Sequence, residues 1–325
     1  MNINSLIEKF TCTRVLVIGD AMIDTYMWGE INRKSPEAPV PIVEIKKIED
    51  RLGGAANVAL NIQSLGGKVT LCSVIGDCTQ NTTFKKLMRK NNLSLKGIIV
   101  EKGRLTTKKT RVIADKKHQI RIDQEISYPI KNEKKIIEIV SKFLSDHNVI
   151  VLQDYNKGVL TPKIIKTIIK LANKKNIPTI VDPKINNFKE YKNCTIFKPN
   201  LYEISKGMGT KLTTNLENIV KTTNELRKIL SAKAILLTLS ENGMLIFSKE
   251  SHKHFHAIKR KIKDVSGAGD TVIAVSALCL ANKVNYYNLT ILSNIAAGIV
   301  CEEVGVVPIN KIKLKKEFII FSKND

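Results

Sequence analysis

Short apolar runs rich in β-branched residues alternate along this chain with longer lysine-rich stretches whose apolar residues recur at helical spacing. The runs that predict buried strands lie at residues 15–18, 69–74, 149–152, 179–181, 194–197 and 235–238. Stretches such as 134–144 and 162–174 predict helices between these strands. Because strands joined through helices lie parallel, we expect an α/β protein with a mostly parallel central sheet and helices on both of its faces.

Two segments interrupt this alternation and predict a small β lid. Residues 26–50 contain three prolines and then alternate apolar and polar side chains, and residues 97–125 alternate in the same way in two places. A period of two is typical of half-exposed strands, so we expect antiparallel strands outside the main sheet that cover a site. No linker rich in proline, glycine or serine divides the chain, so we expect a single domain over residues 1–325 with the lid inserted in it.

The formal net charge of this 325-residue chain is +23, from 53 basic and 30 acidic residues. Only nine of the basic residues are arginines, the lysines are spread along the whole length, and aromatic residues make up 5%. Proteins that read nucleic acids concentrate charge in a stripe with arginines and stacking aromatics. The charge therefore indicates a lysine-rich composition that favours phosphorylated small molecules, with a nucleic-acid-binding face as the alternative.

Cysteine usage and the apolar runs predict the compartment. The six cysteines form no C-x-x-C pair, and no apolar signal segment precedes the first predicted strand. The longest uncharged apolar stretch, residues 271–281, is too short to span a bilayer. We expect a cytoplasmic protein that has no membrane partner.

Charged and polar residues follow five of the predicted strands, at the edge where ligands bind in open α/β sheets. They are Asp20 and Asp24, Asp154 and Lys157, Asp182 and Lys184, Asn200 and Glu203, and Ser240 and Glu241, which Gly243 follows. Single polar residues often end strands for reasons of solvation alone. Acids and lysines at five successive strand ends indicate a site.

Two glycine-containing segments each open a predicted helix. In the first, Gly53 and Gly54 precede a helix with Asn57 in its first turn, and the missing side chains let a ligand approach the backbone. In the second, residues 264–271, small residues turn backbone N–H groups toward one point at a helix start, which is an anion site. We expect Asp270 to accept hydrogen bonds among these amides and to stay ionised, although aspartate and glycine are also ordinary capping residues. Neither a Rossmann fingerprint nor a Walker loop is present.

These segments resemble the two signatures of the ribokinase-like (PfkB) carbohydrate kinases, in order and in spacing. Further segments, at 19–24, 35–41, 154–158, 182–184 and 200–203, are similar to those of family members that phosphorylate D-glycero-β-D-manno-heptose 7-phosphate. The resemblance implies a three-layer α/β/α ribokinase-like fold with a β lid. It also implies ATP-dependent phosphorylation of the anomeric (C1) hydroxyl to the 1,7-bisphosphate, a step toward ADP-heptose for lipopolysaccharide.

The same resemblance implies roles for individual residues. Asp270 would be the general base, and the amides of Gly267, Ala268 and Gly269 would stabilise the transferred phosphoryl group. The residues implied at ATP and Mg²⁺ are Asn200, Leu201, Tyr202, Glu203, Thr238, Ser240, Gly243 and Asn294. The residues implied at the sugar are Asp24, Gly53, Gly54 and Asn57, with Lys157 at its phosphate and Arg111 and Lys184 as helpers.

The implied cofactors are ATP with Mg²⁺, held through Asn200 and Glu203 without a cluster of direct protein ligands, and a monovalent cation in addition. The implied assembly is a homodimer, with no nucleic-acid partner. Lys198, and His118 followed by Gln119, depart from the family pattern, and the chain lacks the His-x-Gly-His motif of a fused nucleotidyltransferase. We therefore expect a separate nucleotidyltransferase and a phosphatase in the pathway. The alternatives are another sugar or sugar-phosphate kinase of this fold and a non-catalytic nucleic-acid-binding protein.

Overall fold

The computed structural model describes residues 2–115, 117–212, 215–249 and 251–324. Its strands are β1 (Arg14–Gly19), β2 (Ala21–Lys34), β3 (Pro41–Gly54), β4 (Lys68–Gly76), β5 (Ile98–Glu101), β6 (Lys108–Ala114), β7 (Lys117–Gln124), β8 (Val149–Gln153), β9 (Thr179–Asp182), β10 (Ile196–Phe197), β11 (Ala234–Thr238), β12 (Met244–Phe247) and β13 (His252–Phe255). Its α-helices are α1 (Ile3–Phe10), α2 (Ala55–Ser64), α3 (Gln80–Lys90), α4 (Glu133–Leu144), α5 (Pro162–Lys174), α6 (Leu201–Met208), α7 (Leu216–Leu230), α8 (Ala268–Ala281), α9 (Tyr286–Val300) and α10 (Lys311–Asn324).

The main sheet has the order β13-β12-β11-β10-β9-β8-β1-β4-β5 in the described part of the chain. All of its pairs are parallel except β11 with β12 and β12 with β13, which are antiparallel. Five of the six apolar runs named above lie in this sheet, the sixth, 194–197, contributes only Ile196 and Phe197 to it, and the two stretches with helical spacing form α4 and α5. The predicted mostly parallel α/β sheet is confirmed.

Alternate side chains of the central strands enter two separate hydrophobic clusters. Along β8, Val149 and Val151 pack with residues of α1, α2, α3, α8, α9 and α10, whereas Ile150 and Leu152 pack with residues of α4 to α7. In a strand that is covered on both faces, nearly every side chain is buried. The corresponding runs in the sequence are therefore continuously apolar. The three-layer α/β/α arrangement follows from this alternation.

A second sheet of four strands, in the order β3-β2-β6-β7, stands apart from the main sheet and forms the lid. The predicted lid boundaries need correction. Residues 98–101 belong to the main sheet as β5, which lies parallel to β4, and the first two lid strands extend to 21–34 and 41–54. The predicted antiparallel pairing is right for β2 with β3 and for β6 with β7, but β2 lies parallel to β6.

The lid contacts the loop that follows α9. The backbone N–H of Val306 donates to the Tyr26 hydroxyl at 2.8 Å, and Arg51 donates to the carbonyl oxygens of Val304 at 3.3 Å and Val306 at 3.0 Å. Because this loop lies close to the start of α8 through the Gly305–Asp264 hydrogen bond, the lid is held over that helix start. Among the helices of the described residues, none has the length and apolarity that a membrane span requires.

Candidate active site

Asp270 lies in the first turn of α8, where the predicted helix start is confirmed. Gly267 precedes the helix with φ +81°, a left-handed conformation that favours glycine. The carboxylate is 4% exposed and accepts three side-chain hydrogen bonds. Asn57 donates to Oδ2 at 2.7 Å, while Tyr155 at 2.7 Å and Gln153 at 3.2 Å donate to Oδ1.

Burial is the main cause that raises the pKa of Asp270, to about 7. The nearby charges of Asp182 and Asp24 raise it further, whereas the hydrogen bonds from Asn57 and Tyr155 lower it. The expectation that backbone amides keep this group fully ionised needs correction, because its partners are side chains and desolvation outweighs them. A carboxylate with a pKa near neutrality is well matched to general-base work.

Asn57 is fully buried, and both ends of its amide are used inside the protein. Its Nδ2 donates to Asp270, and its Oδ1 accepts from Asn61 at 3.2 Å. The predicted contact of Asn57 with sugar hydroxyls stays a prediction. What the structure places at Asn57 is a support for the Asp270 carboxylate.

Tyr155 and Gln153 were missed by the search for site residues, which looked for charged groups after each strand. Gln153 ends β8 and is fully buried, and its Nε2 also donates to Asp182 at 2.9 Å. The signal available in the sequence was their place at the carboxyl end of a central strand, directly before and after Asp154. Neutral polar residues at this position can thus contact the site as directly as acids and lysines do.

Asp20 organises the loop that carries Tyr155. Its buried carboxylate accepts backbone hydrogen bonds from Tyr155 at 2.8 Å, Lys157 at 3.0 Å and Val159 at 3.0 Å. Burial first, and the charge of Asp154 second, raise the pKa of Asp20 to about 6. This carboxylate therefore fixes the main chain of the loop beside Asp270.

On the lid, Asp24 and Arg111 form an ion pair of 2.5 Å that faces the site. The guanidinium lies 5.4 Å from the centroid of the Tyr26 ring. A Cβ at Gly53 would come within 2.1 Å of an Asp24 oxygen, and one at Gly54, where φ is +57°, would come within 2.4 Å of the Asp20 carbonyl oxygen. These glycines are thus required by contacts inside the protein, and close approach by a ligand stays a prediction.

The lysines expected at the substrate phosphate are both paired with carboxylates. Lys157 Nζ lies 2.8 Å from Glu125, and Lys184 Nζ pairs with Glu203. Burial lowers the pKa of Lys184, but the charges of Asp182 and Glu203 and the hydrogen bond to Glu203 together raise it above its usual value. An incoming phosphate would compete with these carboxylates for the two cations.

Asn200 and Glu203 form a capping box at the start of α6. Asn200 Oδ1 accepts from the Glu203 N–H at 2.8 Å, and Glu203 Oε2 accepts from the Asn200 N–H at 2.9 Å. Between them, Leu201 packs against the hydrophobic cluster of α4 to α7, and Tyr202 is 65% exposed.

The remaining residues expected at the nucleotide surround the turn between β11 and β12. Thr238 pairs with Asn200 in an isolated parallel bridge, and a short 3₁₀ helix, Ser240–Asn242, is followed by Gly243. A Cβ at Gly243, where φ is +87°, would lie 2.0 Å from the Phe255 carbonyl oxygen. Asn294 on α9 donates to the carbonyl oxygen of His256, the residue after Phe255, at 2.8 Å.

The structure therefore brings Asp24, Asn57 and Lys184 close enough to Asp270 for charge interactions or a hydrogen bond with it. Glu203 is linked to this group through its ion pair with Lys184. Ala268 and Gly269 lie in the same first turn of α8, and the Cβ position of Gly269 is 3.8 Å from Lys198 Nζ. Ser240, Gly243 and Asn294 form a second group at the edge where β11, β12 and β13 meet α9. The side-chain contacts of these three do not include Asp270 in the described residues.

A lidded, mostly parallel α/β sheet, with a buried carboxylate at the glycine-rich start of a helix, defines a small-molecule kinase of ribokinase-like fold. The model of the pfkB family of carbohydrate kinases matches residues 13–312. The chain belongs to this family, and it is a carbohydrate kinase. Kinases of this family use ATP, generally with a divalent metal ion.

Relatives and solved structures agree with this assignment. The bifunctional protein HldE of Desulfatibacillum aliphaticivorans is 38% identical over an alignment of 320 positions that covers 97% of this chain and 65% of that protein. HldE of Campylobacter jejuni is 37% identical over an alignment of 329 positions that covers 96% of this chain and 69% of that protein. The chain thus spans about 65% of the length of the first of these relatives.

Two solved structures share the fold at low sequence identity. Phosphofructokinase-2 from Escherichia coli, in complex with potassium, has a TM-score of 0.81 at 18% identity and covers 95% of this chain and 99% of its own. Arabidopsis thaliana ribokinase, complexed with ribose and ATP, has a TM-score of 0.71 at 18% identity and covers 94% and 99%. The predicted ribokinase-like fold is confirmed.

The side chains at the start of α6 that offer carboxylate or amide oxygen atoms to a metal ion are those of Asn200 and Glu203. The side-chain oxygens of Asn200 and Glu203 are committed to the cap and to Lys184, so they do not fit direct ligation of Mg²⁺. Across residues 2–115, 117–212, 215–249 and 251–324, no group of three or more His, Cys, Asp and Glu side chains could hold a metal ion. Hard cations of this kind keep several waters and bind through nucleotide phosphates.

Proposed function

We propose that the protein transfers a phosphoryl group from ATP to the anomeric C1 hydroxyl of D-glycero-β-D-manno-heptose 7-phosphate. The product is the 1,7-bisphosphate, on the route to ADP-heptose for lipopolysaccharide. The observation that carries this proposal is the buried Asp270 carboxylate, whose pKa is about 7, beside the lid residues Asp24 and Arg111. The choice of heptose is supported by the resemblance of segments 35–41, 154–158 and 182–184 to heptose 7-phosphate kinases and by the 37–38% identity to HldE proteins.

In this proposal Asp270 takes the proton of the attacking hydroxyl. General-base assistance of this kind is worth ~10²–10⁴ in rate. The amides of Gly267, Ala268 and Gly269, at the positive end of the α8 dipole, stabilise the charge that develops on the transferred phosphoryl group. Each group acts on a different atom of the same reaction, because α8 presents the carboxylate one position after the amides.

The sugar lies between α8 and the lid, with its hydroxyls at Asp24 and its phosphate at Lys157. Arg111 and Lys184 assist at the phosphate. Because Lys157 is paired with Glu125 at 2.8 Å, a phosphate dianion would replace this carboxylate as the partner of the lysine. A phosphate carries more negative charge than a carboxylate and has more acceptor oxygens, which favours the exchange.

The nucleotide lies along α6 and the β11–β12 turn, where Asn200, Thr238, Ser240, Gly243 and Asn294 border it. Mg²⁺ comes with the phosphates of ATP, and a monovalent cation is an additional cofactor in this proposal. The product then passes to a phosphatase and a nucleotidyltransferase.

A homodimer formed through the outer face of the lid is part of the proposal. By the strand register, Ile48 and Ile120 lie on the face opposite to Asp24 and Arg111. Ile48 is 59% exposed and Ile120 is 58% exposed. Apolar side chains grouped on one exposed sheet face are typical of an interaction surface.

The test is ATP turnover against a panel of heptose 7-phosphate, unphosphorylated heptose, fructose 6-phosphate and ribose, with the phosphorylated position read by phosphorus NMR. We expect heptose 7-phosphate to have the highest kcat/KM and the new phosphorus resonance to couple to the anomeric proton. A higher kcat/KM for another sugar would assign the protein to a different substrate within the family. Phosphorylation at any other carbon of heptose 7-phosphate would refute the C1 assignment.

A further inference from the structure

Tyr155 differs from the two other side chains that hydrogen-bond to Asp270. Asn57 on α2 and Gln153 on β8 are fully buried, whereas Tyr155 is partly exposed and lies on the loop after β8. Its hydroxyl donates to Asp270 Oδ1 at 2.7 Å. Of these three donors, the tyrosine is the one that has contact with solvent.

The backbone around Tyr155 is fixed while its side chain has fewer restraints. Asp20 holds the N–H groups of Tyr155, Lys157 and Val159, and Asn156 and Gly158 on either side of Lys157 have positive φ values of 55° and 86°. The hydroxyl of Tyr155 has one hydrogen bond, to Asp270, and Lys184 Nζ lies 5.5 Å from the centroid of its ring. A rotation of the side chain thus breaks one hydrogen bond and leaves the loop in place.

The phenol hydroxyl has the same chemistry as the group that a general base must receive. Both a phenol and a sugar hydroxyl donate one O–H to a carboxylate oxygen at about 2.7 Å. Asp270 Oδ1 already accepts from two protein donors, and an oxygen with two lone pairs has no room for a third strong donor. A sugar hydroxyl that binds Oδ1 must replace one of those donors, whereas Oδ2 accepts one hydrogen bond, from Asn57, among the described residues.

We propose that Tyr155 is a gate on Asp270, a side chain whose hydroxyl occupies the acceptor position on Oδ1 and is displaced by the hydroxyl of the sugar. This inference rests on the proposed role of Asp270 as the base. The gate has a cost in sugar affinity, because part of the binding energy goes into breaking the tyrosine contact. It also keeps water away from the carboxylate until a sugar replaces the phenol.

Tyr155→Phe tests the gate, because it removes the hydroxyl and keeps the ring. The equilibrium affinity for the sugar is measured by calorimetry without nucleotide, and kcat is measured separately. We expect the variant to bind the sugar at least about tenfold more tightly, because a hydrogen bond to a charged group is no longer lost on binding. We expect kcat to change by less than about threefold, since the displaced hydroxyl is absent from the reacting complex.

Tyr191→Phe is the matched control. The Tyr191 hydroxyl donates to the buried carboxylate of Asp154 at 2.7 Å, the same kind of contact at the same distance, without touching Asp270. This variant should lose thermal stability and keep the wild-type affinity for the sugar. Tighter binding in Tyr191→Phe as well would overturn the gate, because the effect would then be general loosening of the region.

The results separate the gate from a fixed positioning role and from failure of the proposed substrate. Unchanged or weaker sugar binding in Tyr155→Phe, or a large loss of kcat at unchanged affinity, overturns the gate. If the wild-type protein turns over fructose 6-phosphate or ribose and not heptose 7-phosphate, the proposed substrate is wrong, and the gate is tested with the sugar that is used. A wild-type protein that phosphorylates none of these sugars overturns both proposals.

Discussion

Replacing Asp270 by asparagine removes the carboxylate and nearly preserves the shape of the side chain. We expect kcat to fall by at least ~10², the lower end of the range for general-base assistance. The KM for ATP should change little, because the contacts of Asp270 are to Asn57, Gln153 and Tyr155. A variant with wild-type kcat would remove Asp270 from the mechanism.

The raised pKa of Asp270 also predicts how wild-type activity depends on pH. The base must be ionised, so kcat/KM should fall as the pH falls through about 7, and this acidic limb should be absent from the residual activity of Asp270→Asn. Besides Asp182 and Asp24, the charged side chains near the carboxylate include Lys184. Asp154→Asn is the control, because burial also raises the pKa of Asp154 while its carboxylate does not contact Asp270. That variant should keep the acidic limb near pH 7.

The same shift predicts that Asp270→Asn is more stable than the wild type at alkaline pH. The pKa rises from 3.8 to about 7, so between these values the folded protein holds a proton that the unfolded chain has lost. Stability therefore decreases as the pH rises through this window, by up to ~4 kcal/mol at about 1.36 kcal/mol per pKa unit. Because Asn57, Gln153 and Tyr155 all donate to Asp270, the Nδ2 group of the variant faces a donor and at least one hydrogen bond is lost, which offsets ~1–3 kcal/mol of the gain. Urea unfolding at pH 8 and pH 5.5 should show the larger gain at pH 8, and an equal or smaller gain there would contradict the assignment of a desolvated carboxylate with a raised pKa.

Three further predictions concern other parts of the molecule. Lys157→Met should raise the KM for heptose 7-phosphate at least about tenfold and leave that for unphosphorylated heptose unchanged, which steady-state kinetics would show, because a charge-assisted contact is worth ~1.5 kcal/mol or more. Glu203→Gln should lower the free energy of unfolding by ~1–2 kcal/mol in urea titrations, since it weakens the capping box and the pair with Lys184. Cys12 and Cys78 should react first with a thiol reagent in the native protein. Cys12 is exposed, and although burial raises the pKa of Cys78, hydrogen bonds, those from Thr106 above all, lower it overall. The thiols expected to react only after denaturation, because burial raises their pKa, are Cys72, Cys194, Cys279 and Cys301.

The main sheet could be predicted because its strands are covered on both faces. Every residue of β8 is buried, so apolar side chains are favoured up to the polar Gln153 at its end, and residues 149–152 form a continuous apolar run in the sequence. The boundaries of the lid were harder to predict, because the strand with which a segment pairs depends on residues that are distant in the sequence. Residues 98–101 have the same short apolar character whether they pair with β4 or with a lid strand, and only the burial of Ile99 against α4 and its neighbours decides between the two.

Motifs in the sequence are enough to name candidate site residues, whereas the contacts of those residues with the rest of the protein cannot be predicted from the sequence. Lys157 pairs with Glu125 and Lys184 pairs with Glu203 across 32 and 19 positions of the chain, and no spacing rule connects such residues. From the sequence alone, a lysine that follows a strand is therefore predicted to be an unpaired cation. In the structure each of these lysines has a carboxylate partner that a substrate phosphate would have to replace.

The largest difference between the sequence-based prediction and the structure concerns the charge of Asp270, and this difference has a single physical cause. The sequence places this aspartate at a helix start, where the helix dipole and bare amides favour the ionised form. Folding then covers it with Asn57, Gln153, Tyr155 and the lid, and the loss of water outweighs the favourable terms and raises its pKa to about 7. Desolvation depends on the whole surrounding structure, so no local pattern reports it. The same burial that costs stability at neutral pH is what gives the carboxylate the basicity to accept a proton from a sugar hydroxyl.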